Sequence, residues 1–267
     1  MNRTRPTVAD IRAAKGRRQL SMVHVENLDE ARACAAAGID VLSIDTPHWN
    51  PVMRDAAGDC FVQVGLMYGE LQTTDDYLRA AHNARLLEGD CCYCAASTGV
   101  IERLAAEGIP IVGHVGLIPS RRTWTGGFRA VGKTLESAKQ IYRQLKDLEN
   151  AGAFAAEIEV VPDVIAAELA KHTSLVLFSM GAGTGCDAQY LFACDILGYT
   201  DSHTPRHAKQ YRDFRAEHER LQQERVGAFT EFAADVSSGA FPQPEHVVAV
   251  DDDVHQELVA FLEGAGG

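Results

Sequence analysis

The sequence predicts an α/β chain folded as one (β/α)8 TIM barrel, with an N-terminal helix, a shortened connection after the second strand and C-terminal helices. Three observations carry this expectation. Short apolar runs of strand length recur along the first two thirds of the chain, separated by alanine-rich or charged stretches of helical length. Gly38, Gly89 and Gly152 stand where those helices should stop. Strands alternating with helices at such intervals call for parallel pairing through right-handed crossovers. A doubly wound open sheet has the same alternation, because periodicity does not reveal closure.

Taken in order, residues 6–19 read as a leading helix, with Thr7 as N-cap and Asp10 in its first turn. Leu20 to Val25 is a first strand, Asn27 to Ala37 a helix, and Val41 to Asp45 a second strand. The loop Thr46 to Pro51 is rich in Pro, Trp and Asn. Between Asp45 and Cys60 the chain is too short for a loop and an ordinary helix, so one outer helix should be missing or reduced. Strands follow at Cys60 to Leu66, Cys91 to Cys94, Ile109 to Val112, Phe154 to Val160 and Leu175 to Met180. The helices between them are Thr74 to Leu87, Gly99 to Glu107, Leu135 to Asn150 and Pro162 to His172, with a long loop at 120–133. Cys186 to Ile196 is apolar and suits a last strand or a helix. Residues 1–267 thus read as a single barrel domain, with 206–267 a helical extension: a charged helix over 206–225 and an amphipathic one over 226–236.

The net charge of -12 argues against a nucleic-acid partner, since a phosphate footprint needs clustered Lys and Arg that are not outnumbered. Asp251-Asp252-Asp253 reads as a solvated turn. Residues 3–18 are basic but lack an apolar stretch of signal-peptide length, and no later stretch is long enough for a membrane span, which points to the cytoplasm and to no membrane partner. Seven cysteines lie scattered in core segments and are expected as reduced thiols. Cys91, Cys92 and Cys94 lack a second Cys or His pair at zinc-site spacing and read as small buried hydrophobes.

Chemistry concentrates at the predicted C-terminal ends of strands, where barrels place their active sites. His114 stands among glycines in Val112 to Pro119. Glu157 and Glu159 alternate on one strand and point the same way; a carboxylate in a partly dry pocket there can act as a general base, while an ordinary strand-end charge is the equal alternative. Asp45 ends an earlier strand with His48 nearby, suited to orienting a substrate or holding a divalent cation, or simply to capping its own loop. Gly126-Gly127-Phe128 sits in a loop long enough to serve as a lid. Gly181-Ala182-Gly183 lacks the full spacing of a phosphate-cradling loop and reads as a tight strand-end turn.

Together, Gly113-His114-Val115-Gly116-Leu117 with Pro119, Gly126-Gly127-Phe128, Glu159-Val160-Val161-Pro162, Gly181-Ala182-Gly183, Asp195-Ile196-Leu197-Gly198 and Ser238-Gly239-Ala240-Phe241-Pro242 with Glu245-His246 resemble, in order, the motifs of the 3-methyl-2-oxobutanoate (ketopantoate) hydroxymethyltransferase family. The resemblance implies a barrel of the isocitrate lyase and phosphoenolpyruvate mutase kind and a homo-oligomer. It also implies an aldol-type transfer of a hydroxymethyl group from methylenetetrahydrofolate to a 2-oxo acid, with Mg²⁺ holding the enolate, Glu159 as base and His114 in the pocket. The family's second and third metal-binding carboxylates fall on Gly65 and Ala95, and its substrate-holding lysine on Tyr93. Direct alignment puts Thr46 at the first, and Asp45, one residue away, is the one candidate ligand left. One carboxylate does not hold Mg²⁺ in the family's manner.

The expected function is therefore a divergent enzyme that makes or breaks a carbon–carbon bond next to a carbonyl of a small 2-oxo acid or related substrate. Glu159, His114 and Asp45 are its expected catalytic residues, and Thr46, Tyr93, His48 and Gly181 line its substrate site. The alternatives are a barrel repurposed as an isomerase, cyclase or hydrolase of a specialised pathway, and a non-catalytic binding subunit.

Overall fold

The alternation of apolar runs and helical stretches becomes, in a computed structural model describing residues 5–201 and 203–265, a closed barrel of eight parallel strands in sequence order. The strands are β1 (Leu20–His24), β2 (Val41–Asp45), β3 (Phe61–Gly65), β4 (Cys91–Tyr93), β5 (Ile111–Gly116), β6 (Ala155–Glu159), β7 (Val176–Met180) and β8 (Ala188–Phe192). Closure comes from β1 pairing with β8, Leu20 to His24 lying against Ala188 to Phe192. This settles the choice between a closed barrel and an open sheet.

Strand alternation splits the apolar residues into two layers. Inside the barrel, Leu20, Met22, Val41, Phe61, Val176 and Phe178 are buried together, and the leading helix α1 (Val8–Ala14) adds Ile11 and Ala14 to that cluster. Thr7 caps α1 and exchanges hydrogen bonds with Asp10. The opposite faces pack on the helices α2 (Leu28–Ala37), α3 (Pro51–Ala56), α4 (Thr74–Leu86), α5 (Thr98–Ala106), α7 (Leu135–Asn150) and α8 (Asp163–Lys171), with α6 (Arg122–Thr125) a single turn in the β5–α7 connection. α3 is the reduced outer helix, of six residues. It is held by Arg54, which pairs with Asp90 at 3.3 Å and donates to the carbonyl of Cys60.

Several elements differ from the sequence reading, beginning with the leading helix, which ends at Ala14 instead of running to residue 19, and the loop 120–133, which contains the turn α6. The fifth strand runs from Ile111 to Gly116 instead of ending at Val112, because Gly113 and Gly116 pair in register with Ala156 and Glu159. Gly113 also gives room to Leu148 of α7. The segment 186–196 forms both alternatives in succession, β8 and then α9 (Ala193–Leu197). Residues 206–213 are not helical, and the charged and amphipathic stretches after them form one continuous helix.

The chain has two compact units, Met1–Arg212 and Asp213–Gly267. The second contains α10 (Phe214–Ser238), a 3-10 turn at Pro244–His246 and α11 (Asp252–Gly264). Its described residues are all exposed, Phe229, Phe232 and Phe261 included. Among the described residues no helix is long and apolar enough to cross a membrane.

Candidate active site

The barrel interior is apolar near α1 and turns polar toward the C-terminal strand ends. Ser43, Gln63, His114 and Glu157 are all buried there. Inward-facing positions of a barrel are ordinarily filled by branched apolar side chains, so four buried polar groups at one level mark a site. The register explains their meeting: Ser43 pairs with Gln63, and His114 with Glu157. One step further along, Asp45 pairs with Gly65, Gly65 with Tyr93, and Gly116 with Glu159. Above them opens a cavity of about 270 Å³ lined by His24, Ser43, Asp45, Tyr93, His114, Glu157, Glu159, Tyr190, Asp195 and His207 among others.

His114 is the hub of this cavity. The Tyr93 hydroxyl lies 2.7 Å from its Nδ1, and Glu157 Oε2 3.7 Å from the same nitrogen. Burial pushes the Tyr93 hydroxyl well above its ordinary pKa, so it stays protonated and donates to Nδ1. The remaining proton of a neutral imidazole then sits on Nε2. Nε2 is buried and makes no hydrogen bond of good geometry, although Glu159 Oε2 lies 3.2 Å away. It is an unspent donor beside a carboxylate.

The two carboxyls of β6 differ in environment. Glu157 is 4% exposed and accepts a 2.7 Å hydrogen bond from Gln63 Nε2, whose amide also donates to Ser43 Oγ at 3.2 Å. Burial pushes its pKa up to about 7, against the opposing pull of His114 and the Gln63 bond, while nearby Glu159 and Asp45 add to the rise. Glu159 is half-buried at the strand end. The turn after it is tightly constrained. Val160 has φ 48, a left-handed conformation that a β-branched residue adopts at a cost, and is held by backbone bonds from its N–H to Met180 O and from Val131 N–H to its own carbonyl. Gly116 (φ 87) lies so close that a Cβ there would overlap the Glu159 carbonyl.

On the opposite rim, His24 Nε2 is 3.9 Å from Asp45 Oδ2. Burial holds the His24 imidazole below its ordinary pKa, against the attraction of Asp45 and Glu26. Asp45 also leans over β3, where a Cβ added at Gly65 would overlap Asp45 Oδ1. Its carboxylate therefore fills the space in which a side chain at position 65 would begin. Ala95 carries no ligand atom, its carbonyl accepting instead from Arg121 Nη2 at 3.1 Å. Among the described residues no group of three or more His, Cys, Asp or Glu is arranged to hold a metal ion. Cys91, Cys92 and Cys94 are buried free thiols.

Of the residues singled out in the sequence, the structure brings Glu159, His114, Asp45 and Tyr93 to one cavity. Gly181 stands at its edge in a left-handed turn (φ 68), where a Cβ would meet the ring of His207. Thr46 and His48 lie elsewhere. They form a 3-10 turn that carries the chain outward from β2, and exposed His48 faces a groove with Glu26, Asn27 and Arg32. Gln63, His24 and Tyr190 were not singled out. Gln63 left a signal, as the one polar residue inside the run Phe61 to Val64. His24 and Tyr190 become site residues only once closure sets β1 beside β8.

A family model described as ketopantoate hydroxymethyltransferase matches residues 46–244. A 3-methyl-2-oxobutanoate hydroxymethyltransferase of Kosmotoga olearia is 30% identical over 262 residues, covering 88% of this chain and 94% of that protein. One of Enterococcus faecalis is 39% identical over 158 residues, 59% of this chain and 55% of its own length. Among solved structures, 2,3-dimethylmalate lyase, a PEP mutase/isocitrate lyase superfamily member, shares the fold with a TM-score of 0.52 at 11% identity, covering 98% of this chain and 100% of that one. The chain belongs to the ketopantoate hydroxymethyltransferase family, and is an enzyme of the transferase type.

Proposed function

We propose that this protein enolises a small 2-oxo acid as one half of an aldol-type reaction that makes or breaks a carbon–carbon bond, using side chains where the family resemblance implies Mg²⁺. The observation that carries the reading is the buried, unpartnered Nε2 of His114 standing 3.2 Å from Glu159 in a cavity of small-molecule size. A carbonyl oxygen placed at Nε2 receives its hydrogen bond and sets the neighbouring C–H beside Glu159. Glu159 removes that proton, the C–H electron pair becomes the enolate double bond, and the negative charge develops on the oxygen facing Nε2–H. The Nε2–H donor suits this role because it stands at hydrogen-bond distance from where the negative charge develops. Tyr93 acts through His114, holding the tautomer that puts the proton on Nε2.

Asp45 and His24 are the proposed second proton-transfer pair, serving the alkoxide formed when the enolate adds to an electrophilic carbonyl. The residues present do not fit Mg²⁺ in the family's manner, since Gly65 and Ala95 supply no carboxylate and Asp45 occupies the space above Gly65. We further propose a cytoplasmic homo-oligomer, which light scattering on the purified chain measures.

The test uses the first half-reaction alone, so the electrophile need not be known. The protein is mixed with 3-methyl-2-oxobutanoate, and then with other 2-oxo acids, in deuterium oxide, and loss of the proton next to the carbonyl is followed by NMR. The expected result is exchange with at least one of them that falls about a thousandfold in Glu159→Gln, within the range of general-base removal. Equal exchange in the variant, or none with any 2-oxo acid, overturns the proposal.

A further inference from the structure

Outside the cavity at the strand ends, a second concave feature that this chemistry leaves unused lies in the connection from β5 to α7. From Gly108 to Leu135 the chain carries Arg121, Arg122, Arg129 and Lys133 and not one Asp or Glu, in a protein of net charge -12. None of the four has a carboxylate within ion-pairing distance among the described residues. Arg121, Arg129 and Lys133 line a cavity of about 640 Å³ together with Trp124, and no carboxylate among the described residues lines it. A concave surface lined by one sign of charge focuses its field and concentrates counter-ions.

The remaining groups around this cavity are suited to an anion. Thr134 caps α7, Ser137 lies in its first turn, and both face the cavity, so the positive end of a sixteen-residue helix adds to the three cations. Arg121 is held in place through Nη2 by the carbonyls of Ala95 and Ala96, which leaves its Nη1 and Nε N–H groups to donate singly. Trp124 is 90% exposed, an unusual state for an indole that has no folding role to perform there. A ring so placed offers a stacking face to a ligand.

We propose that this cavity binds an anion carried on a flat ring: a heteroaromatic or aromatic compound bearing phosphate or carboxylate groups, with the acid groups on Arg121, Arg129 and Lys133 and the ring against Trp124. The site does not depend on the enolisation reading, because binding is measurable without turnover. The chain has two tryptophans, and Trp49 is buried with its indole N–H bonded to Ala84 O, so a change in emission on adding an anion reports Trp124.

The experiment titrates the full chain with pyrophosphate, citrate, ADP and trimellitate while tryptophan emission is recorded. Saturable binding of ADP or trimellitate, weaker at higher salt, is the expected result. It should weaken about tenfold in each of Arg129→Gln and Lys133→Gln, the loss of one charge-assisted bond. Arg143→Gln, which removes a cation of α7 paired with Glu136, should leave it unchanged. The tighter of the two ring-bearing probes identifies phosphate or carboxylate as the recognised group. The proposal is overturned if no probe saturates, or if Arg143→Gln weakens binding as much as the cavity variants. Pyrophosphate and citrate binding as tightly as the ring compounds, with no loss in Trp124→Ala followed by calorimetry, removes the ring from it.

Discussion

Glu157 makes the stability of the barrel depend on pH in a direction opposite to that of an ordinary ion-paired carboxylate. Its pKa is pushed up from 4.5 to about 7, chiefly by burial. Below pH 4.5 the group is protonated both folded and unfolded, and it has no effect. Between 4.5 and about 7 the unfolded chain releases the proton while the folded one keeps it, so stability falls as pH rises. Above 7 the folded state holds a buried charge. At about 1.4 kcal/mol per pH unit, the full loss is about 3 kcal/mol. Glu157→Gln keeps the size of the side chain and cannot ionise. Urea unfolding followed by the emission of the buried Trp49 should find the variant within about 1 kcal/mol of wild type at pH 5, and more stable by about 2 to 3 kcal/mol at pH 8. A pH-independent difference, or equal destabilisation at both pH values, would refute the reasoning.

The remaining predictions concern the same wall of the barrel. Tyr93→Phe frees His114 to move its proton to Nδ1, and α-proton exchange should slow about ten- to a hundredfold with unfolding free energy changed by less than about 1 kcal/mol. Val160→Gly relieves a left-handed β-branched residue while loosening the unfolded chain, so stability should shift by less than about 1 kcal/mol, whereas Val115→Gly in the middle of β5 should cost about 2 to 4 kcal/mol by thermal or urea unfolding. Millimolar Mg²⁺ should leave the Tm of the wild-type chain in place. In the double variant Gly65→Asp, Ala95→Glu, where Asp45 must rotate away from position 65, Mg²⁺ at about a hundredfold excess over Kd should stabilise by about 2.7 kcal/mol, several degrees in Tm.

The order of elements was legible because each strand is a short apolar run and most helices are bounded by a cap or a glycine, as at Asn27 and Gly38 of α2. β5 was harder to bound. Gly113 and Gly116 interrupt its apolar run for tertiary reasons, the approach of Leu148 and of the Glu159 carbonyl, which leave no local signature. Glu159, His114 and Asp45 were readable as polar residues at strand ends. Gln63 left only the mark of a lone polar residue in an apolar run, and His24 and Tyr190 left none, since their meeting depends on the stagger and closure of the barrel. His48 was read into the site from its nearness in sequence to Asp45, but the 3-10 turn at Thr46–His48 carries it outward. Sequence separation of three residues is a poor guide to direction when the chain is leaving a strand.

Glu159 and His114 are proposed to generate an enolate without a metal held as the family holds it. This is tested most directly by the rate of α-proton exchange of a 2-oxo acid in deuterium oxide, measured in a chelator and again in excess Mg²⁺. The same exchange rate is expected in both, with exchange reduced about a thousandfold in Glu159→Gln. Exchange that appears only with Mg²⁺, or that survives in Glu159→Gln, would contradict the proposal.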